Sequence, residues 1–175
     1  MLKDSQQVPT ASQVAERAGF SVRSVFERFP DLHTLRLAAF DFALARAIAN
    51  SLTTGLDGDR KSRLQAYVDR RARTCTEWLP LWRAVNANKG DSQEIEGRIR
   101  LVRMATIKRI ELMYRPELSM LPEPERRRVV FAIDAVVDFE SWARMRDFFG
   151  LSFEESCTVW IGAIDRLLPP TPVDS

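Results

Sequence analysis

The strongest constraint on the fold is the spacing of the apolar residues, which recur at steps of three and four along the chain. The alternation with period two that marks a half-buried strand is missing from the sequence. Proline and glycine divide the pattern into segments of helical length, so we expect an all-α fold. These breakers are Pro9, Gly19, Pro30, Gly55, Gly58, Pro80, Gly90, Pro116, Pro122, Pro124, Gly150, Pro169 and Pro170.

Charge and composition exclude several classes of protein. The 175 residues include 26 Lys and Arg against 24 Asp and Glu, a net charge of +2, so any contact with nucleic acid must come from locally arranged charge. The strongest apolar run, Val129–Ile133, is far shorter than the roughly 18 residues of a membrane span. Cys75 and Cys157 cannot form a disulfide framework, and Met1–Gln7 lacks the apolar region of a signal peptide. We therefore expect a cytoplasmic protein with no membrane contact.

The single histidine argues against common catalytic and metal sites. His33 alone cannot build an imidazole-rich metal site, and it is the only residue that could serve a Ser-His-Asp triad. Beside Asp31, it is more simply interpreted as a surface histidine near the start of a helix. A Gly-rich phosphate loop is also missing from the sequence. We expect no catalytic residue, no metal and no cofactor.

The N-terminal third carries the sharpest helix signals. Thr10 and Gln13 match a capping box that begins a short helix, and Gly19 is suited to end it in a left-handed conformation. Ser21 can cap a second short helix over Val22–Phe29. A long third helix is expected from Leu32 to about Leu52.

Two short helices joined by a tight glycine turn predict a helix-turn-helix. Its second helix offers the short or basic polar side chains that contact phosphates and base edges in a major groove. The alternative is a small helical hairpin with a solvated face. The candidate DNA-binding residues are Thr10, Ser21, Val22, Arg23, Ser24, Phe26, Glu27 and Arg28.

A family resemblance rests on these same residues. The positions that carry it are Val14-Ala15, Ala18-Gly19-Phe20-Ser21, Ser24, Phe26, Phe29 and Leu35. Through them, residues 9–35 resemble the DNA-binding motif of the TetR/AcrR transcriptional regulators, and Trp142–Glu155 resembles the last two helices of many members. The resemblance implies a DNA-binding domain over residues 1–52 and a ligand-binding and dimerisation domain over residues 53–175.

The chain departs from the family pattern at three places. The family usually has Tyr where Phe26 stands, and the hydroxyl of that Tyr commonly reaches a phosphate. It usually has a basic residue where Leu32 stands, and Arg28 partly offsets the weakened phosphate contacts. The family also has a helix before the capping box, whereas only Met1–Pro9 precede it here and Lys3–Gln7 carries no apolar stripe, so we expect that helix to be missing.

The remaining two thirds of the chain predict further helices. Pro80 should end one helix, and the run from Val129 to Val137 is apolar nearly all round and should be buried on more than one side. Capping-box patterns at Asp91–Glu94 and Ser152–Glu155 should open two others. The expected ranges are Asp59–Trp78, Leu81–Ala87, Asp91–Tyr114, Glu123–Phe149 and Ser152–Leu168.

Aromatic and Met side chains predict an effector site in this region. The resemblance places the ligand among the long helices, while ordinary core packing is the alternative for each candidate. Few ionisable groups fall between Val129 and Val137, so we expect an apolar or amphipathic effector with little or no charge. The candidate wall residues are Trp78, Trp82, Met104 and Phe139.

The two C-terminal helices predict a homodimer. Their amphipathic faces can bury against a second copy in a two-fold four-helix interface, and packing within one subunit is the alternative. The candidate interface residues are Trp142, Met145, Phe149, Trp160, Ile161, Ile164 and Leu168.

These features together favour a ligand-responsive repressor that binds a palindromic operator as a homodimer. The effector would favour one of two spacings of the paired recognition helices. The alternative function is a small-molecule-binding helical dimer without competent DNA binding.

Overall fold

The computed structural model describes residues 10–49, 57–87 and 92–172, and these ranges are helical with no strand. The expected all-α fold is therefore confirmed. The helices are α1 Ala11–Ala18, α2 Val22–Arg28, α3 Leu32–Ala49, α4 Arg60–Ala87, α5 Gln93–Met113, α6 Arg115–Leu118, α7 Glu123–Val136, α8 Phe139–Ala143, a π-helical turn Arg144–Phe148, and α9 Phe153–Leu167.

The caps of α1 and α2 form as predicted. Thr10 Oγ1 accepts from Gln13 N at 3.3 Å, while Thr10 N donates to Gln13 Oε1 at 2.9 Å. Gly19 ends α1 with φ 72°, in the left-handed region that a Cβ disfavours. Ser21 Oγ accepts from Ser24 N at 3.0 Å, and α2 ends at Arg28. Two predictions concern residues outside the described ranges: the missing helix before Thr10 and the end of the third helix at about Leu52.

The predicted break at Pro80 is wrong, because α4 continues through it to Ala87. Proline removes one helical hydrogen bond and crowds the preceding turn. Packing on either side outweighs this local cost, since Cys75 before the proline and Trp82 after it are both buried.

The predicted single helix over Glu123–Phe149 is also wrong, because the chain breaks after Val136. Asp138 Oδ1 accepts from Glu140 N at 2.8 Å and so caps a new helix, which competes with continuation of α7. Arg71 Nε donates to the Val137 carbonyl at 2.9 Å and satisfies an acceptor that the break exposes. The π-helical turn that follows α8 closes with Phe149 N donating to Arg144 O at 3.0 Å.

The later capping boxes differ in outcome. Ser152 and Glu155 form theirs and begin α9 as predicted. At the start of α5, Ser92 Oγ accepts from Ile95 N at 3.4 Å, one residue later than expected, and Asp91 lies outside the described residues.

The chain divides into two compact units. The first comprises Met1–Ala49 with Pro80–Val102, and the second comprises Asn50–Leu79 with Arg103–Ser175. The predicted domains, residues 1–52 and 53–175, did not place residues 80–102 with the N-terminal segment. Both α4 and α5 run from one unit into the other, with the division between Leu79 and Pro80 in α4 and between Val102 and Arg103 in α5.

Each unit has its own buried side chains. In the first, they include Ala15, Val25 and Phe40. In the second, the core contains α4, α5, α7 and α9 residues such as Val68, Ile110, Ile133, Trp160 and Ile164. No helix in the described ranges is long and apolar enough to cross a membrane.

Candidate functional site

The first candidate site is the pair of short helices at the start of the chain. α1 packs against α2, and the turn between them is closed by Gly19 N donating to Glu16 O and Phe20 N donating to Ala15 O. Ala15 is buried where a small side chain lets two helices approach closely. Val25 is the only buried residue of α2, so a single apolar contact face anchors that helix.

The other six residues of α2 are exposed, as is its cap Ser21. The structure therefore places seven of the eight candidate DNA-binding residues together on one short helix and its cap. Thr10 is exposed at the start of α1, where its hydroxyl serves as the helix cap. Ser21 Oγ lies 2.8 Å from Ser24 Oγ, so these two hydroxyls also hold the first turn of α2.

The net charge of this hairpin is small. Over α1, α2 and the turn between them, Arg17, Arg23 and Arg28 stand against Glu16 and Glu27, a net charge of +1. Arg23 Nε donates to Glu27 Oε1 at 2.9 Å, and both side chains are exposed. Attraction for a polyanion would have to come from the placement of the arginines, not from the net charge of the hairpin.

Sequence reasoning missed one exposed group beside α2. Phe20 lies in the turn and is among the most exposed large apolar side chains of the described residues. The sequence signal for its exposure was its position between Gly19 and Ser21, outside the periodic apolar pattern of the helices. An exposed aromatic next to the exposed helix extends the surface that could contact a partner.

The four predicted wall residues differ in exposure and in the unit to which they belong. Phe139 is buried in the second unit, with the Arg71 guanidinium 4.9 Å from its ring centroid. Trp78 is half-buried in that unit, whereas Trp82 is buried in the first unit. Met104 is 60% exposed, so it does not belong to an enclosed wall. Of the four, Phe139 alone is buried in the second unit.

Most predicted interface residues lie in the core of one subunit. Trp142 and Trp160 pack with ring centroids 4.9 Å apart, and a helical stripe continues this core through α9. The sequence could not separate this outcome from a dimer, because both bury the same stripe. Phe149 is exposed and Ile161 is half-buried. The five of them that are buried within the chain itself are Trp142, Met145, Trp160, Ile164 and Leu168.

A polar cluster inside the second unit was not predicted at all. It consists of Tyr67 and Arg71 on α4, Arg109 on α5, Tyr114 after α5, and Asp134 on α7, and we call it the tyrosine cluster. Burial raises the pKa of both tyrosines and of Asp134, although Arg71 opposes the rise for Asp134. Burial lowers the pKa of Arg109, and the nearby charge of Arg70 adds to this effect.

The available sequence signal for this cluster was weak. Tyr67 and Arg71 lie one turn apart on a helix face that otherwise carries Leu64, Val68 and Ala72. Polar residues that meet from three separate helices leave no motif in the sequence. Among the described residues, no group of three or more His, Cys, Asp or Glu side chains could hold a metal ion.

Comparisons with protein-family models, with curated proteins and with solved structures find no match to this chain. The resemblance to the TetR/AcrR regulators therefore depends on the residues of the motif.

Proposed function

We propose that this protein is a TetR-like transcriptional regulator that acts in the cytoplasm as a ligand-responsive repressor. It binds a palindromic operator as a homodimer. The observation that carries the proposal is the α1–α2 hairpin, whose second helix is held by Val25 and exposes its other six residues.

The dimensions and side chains of α2 suit a major groove. The groove is about 12 Å wide and admits one helix. Arg23 and Arg28 would contact phosphates or guanine edges, and the Ser24 hydroxyl would contact a base or a phosphate. Val22 and Phe26 are exposed apolar groups of the kind that contact a thymine methyl.

The anchoring of α2 explains why it needs the hairpin. A helix of seven residues is too short to be stable alone, because isolated helices under about 12 residues are marginal in water. Contact with α1 and the Ser21 cap supply the missing stability. The free face of α2 is then ordered before it meets DNA, which lowers the entropic cost of binding.

Helix α5 offers a route for the response to a ligand. Arg98 on α5 makes two bonds to Asp41 on α3, Nε to Oδ1 at 2.6 Å and Nη2 to Oδ2 at 2.7 Å. Both residues belong to the first unit, and α5 continues from there into the second unit. An effector that displaces α5 in the second unit would act on α3 through this bidentate pair, and α3 follows directly after the hairpin.

A mobility-shift assay with DNA from the protein's own upstream promoter tests the proposal. Arg28→Gln and Arg23→Gln should each weaken the complex and reduce the slope of log affinity against log salt by about 1, since each removes a phosphate contact. The matched control is Arg127→Gln, which changes an exposed arginine of α7 in the second unit. Equal losses in all three variants, or no complex at low salt, would contradict the proposal.

In the alternative function, the protein binds a small-molecule effector but does not bind DNA. Phe26 presents no hydroxyl, Leu32 presents no charge, and the hairpin has a net charge of only +1, which together favour a small-molecule-binding dimer without competent DNA binding. Effector binding without any DNA complex at low salt would select this alternative.

A further inference from the structure

Two tyrosines pack against each other in the second unit, with hydroxyls that have no hydrogen-bond partner among the described residues. Tyr67 is 3% exposed and Tyr114 is 0% exposed, and their ring centroids lie 5.5 Å apart in an edge-to-face arrangement. A buried hydroxyl without a partner has given up its bonds to water and destabilises the fold, so native proteins keep few of them. Two such groups in contact point to a partner from outside the described residues.

The charges that act on this place favour an anion. The charges that act on Tyr67 are those of the Arg71 and Arg109 guanidiniums and of the Asp134 carboxyl, and Arg109 also acts on Tyr114. The nearby Arg63 and Glu117 also act on Tyr114, but they are bonded to each other and compensate in charge. Besides that bonded pair, two guanidiniums and one carboxyl act on the two hydroxyls, and this balance favours a negative partner. Burial lowers the pKa of Arg109, so a negative partner would stabilise its charged form.

Fully buried apolar side chains lie on the same stretches of chain as the two tyrosines. Val68 and Ala72 on α4 are fully buried, as are Ile110 and Met113 on α5. A molecule that reaches the two hydroxyls therefore needs an apolar body as well as an acceptor group.

We propose that the tyrosine cluster binds the carboxylate of an amphipathic organic acid, which accepts hydrogen bonds from the hydroxyls of Tyr67 and Tyr114 and faces the positive charge of Arg109. A carboxylate has two acceptor oxygens, enough for both phenols and a guanidinium. This inference rests on the proposed function only in taking the second unit to be the effector unit. It also replaces the expectation of an effector with little or no charge. That expectation rested on the few ionisable groups of residues 129–137 and left out the arginines of α4 and α5.

The first test needs no ligand and separates a binding role from a structural one. If the hydroxyls have no partner in the free protein, Tyr67→Phe and Tyr114→Phe should leave the Tm unchanged or raise it by about 2–4 °C each. The matched control is Ser156→Ala, which removes a fully buried hydroxyl that does have a partner, since Ser156 Oγ donates to Ser152 O at 2.8 Å. That variant should lower the Tm. If the two tyrosine variants also lower the Tm, their hydroxyls are bonded inside the chain and the proposal fails.

The second test measures binding to the full chain by calorimetry, with decanoate and benzoate as acids and decanol as the uncharged match for decanoate. Decanoate should bind at least about tenfold more tightly than decanol, because a bond to a charged acceptor is worth more than a neutral one. Each Tyr→Phe variant should weaken decanoate binding by about three- to tenfold and weaken decanol binding less.

Three results overturn the proposal: neither acid binds, decanol binds as tightly as decanoate, or the tyrosine variants bind decanoate like the wild type. Because neither test contains DNA, failure here is distinguishable from failure of the proposed regulatory function.

Discussion

The buried ion pair between Arg63 and Glu117 gives the most direct prediction about stability. Arg63 Nη1 donates to Glu117 Oε2 at 2.9 Å and Nη2 donates to Oε1 at 2.5 Å, with 3% and 0% of the two side chains exposed. The remaining polar capacity is also used. Arg63 Nη1 donates to Met113 O at 2.7 Å, and Thr171 Oγ1 donates to Glu117 Oε1 at 2.6 Å. The pair thus joins α4, the end of α5, α6 and the C-terminal segment.

Glu117→Gln removes the negative charge and nearly preserves the shape. The Arg63 guanidinium is then buried beside a neutral amide, and breaking a buried pair in this way costs about 3–5 kcal/mol. At about 2–4 °C per kcal/mol for a chain of this size, the Tm should fall by about 6–20 °C. The combined change Arg63→Met with Glu117→Leu should recover most of this loss, because no buried charge is then left alone.

Thermal and urea unfolding, followed by circular dichroism, would measure these changes. Asp69→Asn is the matched control, since the Asp69–Arg73 pair is exposed on the same helix, and it should leave the Tm unchanged within error. A Tm for Glu117→Gln within about 2 °C of the wild type, less than 1 kcal/mol, would refute the reasoning. So would a double variant as unstable as the single one.

Four further predictions concern acid stability, the turn, the break and the thiols. Burial alone would raise the pKa of Glu117, but the hydrogen bonds from Arg63 and Thr171 outweigh burial and lower this pKa below 4.5. The ionised carboxylate therefore stabilises the fold fully above about pH 4.5, and this stabilisation is lost as pH falls through the folded-state pKa. Urea titrations should show a smaller destabilisation by Glu117→Gln at pH 3 than at pH 7, and an equal destabilisation would contradict this. Gly19→Ala should destabilise the hairpin by about 1 kcal/mol, because Gly19 has a φ of 72° that a Cβ disfavours, and hydrogen exchange of the α1 and α2 amides would measure this loss. Gly97→Ala is the control and should be neutral or stabilising, because Gly97 lies inside α5 and an added Cβ would meet open space there. Asp138→Ala should cost about 1 kcal/mol by removing the α8 cap, and no change in urea midpoint would show that the cap is dispensable. Burial raises the pKa of Cys75 to about 11 and also raises that of Cys157, so iodoacetamide at pH 8 should label them only after unfolding, as mass spectrometry would show.

The parts of the fold that the sequence predicts correctly are those decided by local chemistry. Thr10 with Gln13, Gly19, Ser21, and Ser152 with Glu155 each satisfy or shape backbone within a few residues, so their effect is visible in the sequence. The exposed face of α2 follows from the same local pattern.

The errors arise where distant contacts outweigh local preference. Pro80 should end a helix, yet buried neighbours on both sides keep α4 continuous. The break at Val137 depends on Asp138 and on Arg71 from another helix, and only the cap could have been read locally.

The same limit applies to the candidate sites. Apolar stripes such as Trp160, Ile164 and Leu168 look alike whether a second subunit or the same chain covers them, and here the same chain does. The tyrosine cluster joins three helices, so no spacing in the sequence predicts it.

Selection of bound duplexes from a random DNA library tests the central claim most directly. The account predicts that the wild-type protein enriches an inverted repeat, because two copies of α2 would read two half-sites related by a two-fold axis. The Arg23→Gln, Arg28→Gln double variant should lose this enrichment, and Arg127→Gln should retain it. Recovery of no common sequence by the wild type, or the same sequence by the double variant, would contradict the claim that α2 reads DNA.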